Sequence, residues 1–319
     1  MIVSSCFIVD TDGGTDDALA LLMLIGMGRV PDAITTCFGN VGLEQATVNI
    51  LDTLAVVQRD IPVHAGAARP LVGPLVDATD VHGHDGLGGI ARPPRRAALA
   101  SRDGVGYLRA QLYQACAGGA AVDLLMLGPL TNLARVLESE PELAKGINRL
   151  WVMGGTCRGR GNVTVSAEFN IYCDPEAAEV VFGLPINTLV VPWEPCLQTA
   201  VPGAALEGVL ARLPKGGLWD FVRGISDHGR QLSRRWYDED NLIMPDPLAA
   251  ACVLDAEVST RTMVCGYLVE TAGTVSRGAT FVDHEAKTTR PAVAIVEKAD
   301  RTKLEKLFEM SLQKLASCQ

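Results

Sequence analysis

No stretch of eighteen apolar residues occurs in this 319-residue chain, although 48% of it is hydrophobic, so no membrane span is expected. The start, Met1 to Ser5, has no basic region and runs straight into an apolar segment, so no secretory signal is read. Positive charge is scarce. Against 37 Asp and Glu stand 28 Lys and Arg, a formal net charge of −9, and the one short basic run, Arg92-Pro93-Pro94-Arg95-Arg96, suits a solvated loop. That balance disfavours a polyanion, so nucleic acid is not an expected partner. The nine cysteines are odd in number and include no Cys-x-x-Cys, which argues against a disulfide framework or a zinc site and for a reducing, cytoplasmic setting. No internal repeat or composition shift divides the chain, which reads as one domain over 1–319.

Apolar strand-like runs alternate with helix-like segments, the pattern of βαβ units. Strands are expected at Cys6–Val9, Ala33–Phe38, Ile61–Ala65, Val122–Leu127, Arg149–Met153 and Thr188–Val191. Helices follow most of them, with Asp174 a cap and Pro175 in the first turn of one. A long glycine-rich loop runs from about 66 to 92, and residues 203–254 are largely helical. Thr262–Val269 and Ala292–Val296 read as strands around a hairpin, before a last helix from about 300. The expected class is α/β: an open, mainly parallel Rossmann-like sheet with helices on both faces, in a single domain with a carboxyl-terminal β-rich extension.

The first strand ends in Asp10-Thr11-Asp12-Gly13-Gly14-Thr15-Asp16-Asp17, four carboxylates within eight residues, where open α/β sheets place their ligands. Thr15 as a helix cap, with Asp16 and Asp17 complementing the helix dipole, would leave Asp10 and Asp12 unexplained. So many negative charges call for a proton or a cation, and hard oxygen donors suit calcium or magnesium. An EF-hand loop fails, because its twelfth position counted from Asp10 is Leu21. The haloacid-dehalogenase phosphatases open on a similar strand, Asp-x-Asp-x-Thr, but Gly14 stands in the threonine's place. A magnesium-dependent phosphatase or phosphotransferase with Asp10 as nucleophile therefore stays as an alternative.

Asp-Thr-Asp-Gly-Gly-Thr-Asp-Asp-Ala resembles the amino-terminal signature of the inosine-uridine type nucleoside hydrolases, Asp-x-Asp-x-x-x-Asp-Asp-Ala. The resemblance continues through Leu127-Gly128-Pro129-Leu130-Thr131-Asn132, Met153-Gly154-Gly155, Ser166-Ala167-Glu168-Phe169-Asn170-Ile171 and Asp246, covering about residues 7 to 255. It implies a calcium-dependent enzyme that hydrolyses the N-glycosidic bond of a small ribonucleoside to ribose and free base, in a homodimer or homotetramer. A non-catalytic nucleoside-binding homologue is the remaining alternative.

Carried onto this chain, the resemblance makes Asp12 both metal ligand and general base. Asp17, the Leu127 carbonyl and Asp246 complete the calcium ligands, and Asp10 supports them from behind. Asp16, Asn162, Glu168 and Asn170 grip the ribose, with Asn40 and Met153 beside them. His82 corresponds to a loop histidine near the base, while His84, Trp236 and Tyr237 are candidates to contact or protonate it. In several members a histidine before the last calcium aspartate protonates the leaving base. Here that position is Pro245, which has no proton to give.

Overall fold

Along Cys6–Thr11 (β1), Phe7 and Val9 enter one apolar cluster and the intervening Ile8 enters another. Both faces of the strand are thus covered, as a parallel sheet demands. The structure, a computed structural model, describes residues 5–93 and 98–318. Pro94, Arg95 and Arg96 of the basic run lie outside them.

After β1 come Thr15–Gly26 (α1), Ala33–Thr36 (β2), Leu43–Val56 (α2), Val63–Ala65 (β3), Thr79–His82 (α3), Gly104–Cys116 (α4) and Val122–Met126 (β4). Next are Thr131–Ser139 (α5), Ile147–Met153 (β5), Phe169–Cys173 (α6), Pro175–Phe182 (α7), Thr188–Val191 (β6), Trp193–Gln198 (α8) and Val201–Pro202 (β7). Gly203–Ala211 (α9), Gly217–Tyr237 (α10), Asn241–Leu242 (β8) and Pro245–Leu254 (α11) precede Ser259–Val269 (β9), Thr280–Asp283 (β10), Ala292–Ala299 (β11) and Arg301–Ser317 (α12).

Nine strands form one sheet in the order β10-β9-β11-β6-β5-β4-β1-β2-β3, and β7 pairs with β8 apart from it. Pairing is parallel from β3 through to β11, and antiparallel only at β11–β9 and β9–β10. The carboxyl-terminal strands therefore extend the main sheet. β10, absent from the sequence reading, is a four-residue edge strand on which Phe281 is half exposed.

Helices α1, α2, α9, α10, α11 and α12 bury their apolar side chains in one cluster, and α4, α5 and α7 in the other, on the opposite face of the sheet. The strand order reverses at β1, with β2 on one side and β4 on the other. That switch point opens a crevice at the carboxyl ends of the strands. Asp174 caps α7 as expected, accepting from Ala177 N at 3.1 Å. Thr15 does not cap α1. Gly14 holds the cap position, and Asp17 reaches back to accept from its amide at 2.7 Å. Among the described residues no helix is long and apolar enough to cross a membrane.

Candidate active site

The turn after β1 folds tightly because Gly13 adopts φ +71°, where an added Cβ would lie 2.6 Å from the Ala46 backbone. This turn sends the four aspartates to different places. Asp10, fully buried, accepts from Asn132 Nδ2 at 2.7 Å, from Thr35 Oγ1, and from Cys37 Sγ at 3.7 Å. It lies beneath the cavity and, like Asp12 and Asp17, is not among the residues that line it. Asp12 accepts from Asn40 N at 2.8 Å and Asn40 Nδ2 at 2.9 Å. Asp17 accepts from Gly14 N, from Thr11 Oγ1 and, at 3.1 Å, from the same Asn40 amide.

Asp246, in the first turn of α11, meets this group across the crevice. Carboxylate oxygens of Asp16, Asp17 and Asp246 all lie within 4.8 Å of one another. Asp12 belongs to the same acidic cluster through Asp17, which raises its pKa. Burial pushes the Asp16 carboxyl up to about 6. It also lifts Asp12 and Asp246 well above the usual carboxylate range, with repulsion from the neighbouring aspartates adding to the effect. Asp16 Oδ1 is buried with no hydrogen-bond partner.

These residues fit a divalent cation. The donors are hard oxygens, one of them is orphaned, and among the described residues no lysine or arginine lines the adjoining cavity. The Leu127 carbonyl, at the end of β4, points to the same region but already accepts from Asn170 Nδ2 at 2.7 Å. A carbonyl oxygen has a second lone pair to offer.

The cavity holds about 410 Å³, the size of a small-molecule pocket. Asp16, Asn40, His82, Met153, Asn162, Glu168, Asn170, Trp236, Tyr237, Pro245 and Asp246 all line it. Glu168 accepts from Gly155 N at 2.8 Å and from Asn170 N at 3.0 Å, and burial raises its carboxyl to about 7. Asn162 Oδ1 accepts from Phe169 N at 2.9 Å, fixing that side chain to its own loop. Trp236 and Tyr237 end α10 at 46% and 36% exposure, so they are not core aromatics.

His84 departs from expectation: it is exposed and outside the cavity lining. Several lining residues escaped the sequence reading, among them Thr15, Asp77, Asp80 and Trp193. Trp193 carried a usable signal, since it directly follows the β6 strand end at Pro192.

The family model described as inosine-uridine preferring nucleoside hydrolase matches residues 7–306. The chain belongs to this family. It is 35% identical over 290 residues to the non-specific ribonucleoside hydrolase RihC of Klebsiella pneumoniae (strain 342), covering 91% of each chain. The RihC of Salmonella paratyphi B is also 35% identical, over 300 residues and 94% of each chain. Among solved structures, a plant nucleoside hydrolase, the PpNRh1 enzyme, superposes with a TM-score of 0.86 at 30% identity, covering 96% of this chain and 98% of that one. An inosine-guanosine nucleoside hydrolase gives 0.85 at 28% identity with the same coverage.

Membership in the nucleoside hydrolases removes the phosphatase alternative, and the site gives the physical reason. A nucleophilic aspartate must face its substrate, and Asp10 of this nucleoside hydrolase is sealed under the cavity by Thr35, Asn132 and Cys37.

Proposed function

We propose that the chain, acting as one domain, hydrolyses the N-glycosidic bond of ribonucleosides to ribose and free base with calcium as its metal. The observation that carries this reading is the meeting of Asp16, Asp17 and Asp246, with an orphaned oxygen on Asp16, at the edge of a nucleoside-sized cavity. Asp12, Asp17, Asp246 and the Leu127 carbonyl would hold the ion, with the Asp16 carboxylate close enough for its charge to be offset by it. Calcium bound there would make water easier to deprotonate and offset the buried negative charge.

The rest is the work of the chain's own groups. Asp12, steered by two bonds from Asn40, accepts the proton of the attacking water. The water oxygen bonds to the anomeric carbon as the carbon–nitrogen bond breaks, and the base departs with that electron pair. Asp16, Glu168 and Asn170 hold the ribose hydroxyls, with Asn40, Met153 and Asn162 beside them, while the sugar passes through a state of oxocarbenium character. His82, Trp236 and Tyr237 face the base, and Asp10 supports the metal-side loop from below.

A homodimer or homotetramer in the cytoplasm, serving purine and pyrimidine salvage, completes the proposal. The odd cysteine count and the lack of any Cys-x-x-Cys support the reducing setting. The decisive experiment is a screen of common ribonucleosides with calcium, reading out reducing sugar. Nucleoside binding without ribose release from any of them would overturn the proposal.

A further inference from the structure

The loop between β5 and α6, residues 154–168, carries Asn162 and Glu168 to the cavity almost without regular structure. Its amide groups must find partners outside a ladder. The partners are specific. Cys157 N donates to Glu194 Oε2 at 2.9 Å, and Arg158 N and Arg160 N donate to Glu194 Oε1 at 2.7 and 3.4 Å. Glu194 lies in the first turn of α8 at 7% exposure.

The other flank is held from the carboxyl-terminal strands. Thr156 N donates to Thr280 Oγ1 at 2.7 Å. The Tyr267 hydroxyl lies 2.8 Å from Thr156 O and 2.9 Å from Thr280 Oγ1. Both side chains are buried, and Ala167 bridges to Ala279 beside them. Gly155, at φ +74°, leaves the space this hydroxyl needs, since a Cβ there would run into it. None of Glu194, Tyr267 and Thr280 lines the cavity, and substrate contact does not account for them.

We propose that Glu194 and the Tyr267–Thr280 pair form a clamp that sets the position of the 154–168 loop, and through it of Asn162, for ribose binding. This rests on the ribonucleoside-hydrolase reading. Glu194 is a positioning residue: its carboxylate gathers three amides that would otherwise sit unpaired in a half-buried loop. The β9–β10 pair thereby gains a role beyond extending the sheet.

The test compares wild type, Glu194→Gln, Asn162→Ala and the double variant, measuring kcat and KM for a hydrolysed ribonucleoside and inhibition by D-ribose. Glu194→Gln keeps the shape but turns an amide group toward backbone donors. The expected result is a KM raised by about tenfold or more, and D-ribose inhibition weakened by the same factor. Because Glu194 acts through Asn162, the double variant should be no worse than the weaker single by more than about twofold. Thr280→Val, which removes the other anchor without changing shape, takes the same measurements should Glu194→Gln not fold. Wild-type KM in the folded variants, or effects that multiply with Asn162→Ala, would overturn the clamp. If wild type released no ribose at all, the ribonucleoside reading would fall separately. Amide exchange at Cys157 and Arg158 would still decide the clamp: faster exchange in Glu194→Gln supports it, and unchanged exchange sinks it.

Discussion

Asp16 Oδ1 lies 3.7 Å from His82 Nδ1, and the imidazole does not neutralise it. Nδ1 instead accepts from the Thr15 amide at 3.2 Å and sits 3.0 Å from Thr15 Oγ1, so the ring proton is on Nε2. Burial holds the His82 pKa down at about 4, leaving the ring neutral at neutral pH. The charge on Asp16 is therefore left for a cation to balance.

Metal analysis of the purified protein should find about one divalent ion per chain. Asp246→Asn removes one of the three clustered carboxylates, and should weaken calcium binding in calorimetry by about tenfold or more. Full activity after exhaustive chelation would contradict the metal assignment.

Asp12→Asn keeps the shape and one of the two Asn40 contacts, and removes the proton acceptor. Turnover should fall on the order of a hundred- to ten-thousandfold. A folded, metal-loaded variant with near-normal turnover would show that another group takes the proton.

A 2′-deoxynucleoside would leave polar groups of Asp16, Glu168 or Asn170 unpaired in a buried site. Discrimination in kcat/KM on the order of ten-thousandfold is expected between inosine and deoxyinosine. Comparable efficiency on both substrates would remove these residues from ribose recognition.

Glu168 supplies a pH signature in the metal-free protein. Its folded pKa of about 7 lies above its ordinary 4.5, so between these values the folded chain holds a proton that the unfolded chain has released. Stability contributed by this group is present below about 4.5 and is lost as pH rises toward 7, by on the order of 3 kcal/mol in all. Glu168→Gln should flatten the fall in melting temperature across that interval, and an unaltered pH dependence would refute the assignment.

Pro245 stands at the first position of α11 and lines the cavity without a proton to offer. Neutral His82 has little acid character near neutral pH, and His84 faces solvent. A nitrophenyl riboside, whose nitrophenolate leaves without protonation, should accordingly be hydrolysed faster than inosine. His82→Ala should slow the two substrates to a similar degree. A selective loss on inosine would identify His82 as the acid after all.

The acidic cluster is legible in the sequence because helix capping cannot account for four carboxylates in eight residues. Parallel strands are legible because apolar runs without alternation must be covered on both faces. Direction within loops is not written in composition. His82 and His84 are two residues apart, yet one turns to Thr15 and the other to solvent. Trp236 and Tyr237 suit a core stripe as well as a base contact until the packing of α10 fixes which face is open. Glu194 follows the end of a strand with nothing in the sequence to mark its role, because its partners are backbone amides, which no side-chain pattern encodes. The short β10 offers too few alternating residues to be read as a strand.

Asp17 and Asp246 stand side by side in space, on α1 and α11, but five of the sheet's nine strands are synthesised between them. A ribosome making this chain releases β1 through β6 with their strand-end carboxylates long before α11 exists. The nascent amino-terminal half thus carries acidic groups that cannot yet be caged around an ion, and long-range closure of this kind is slow. An ion that prefers the closed cage acts on the final docking of α11 against α1, pulling assembly forward by mass action. A chain stopped before Pro245 would contain β1 to β6 and still have no cage.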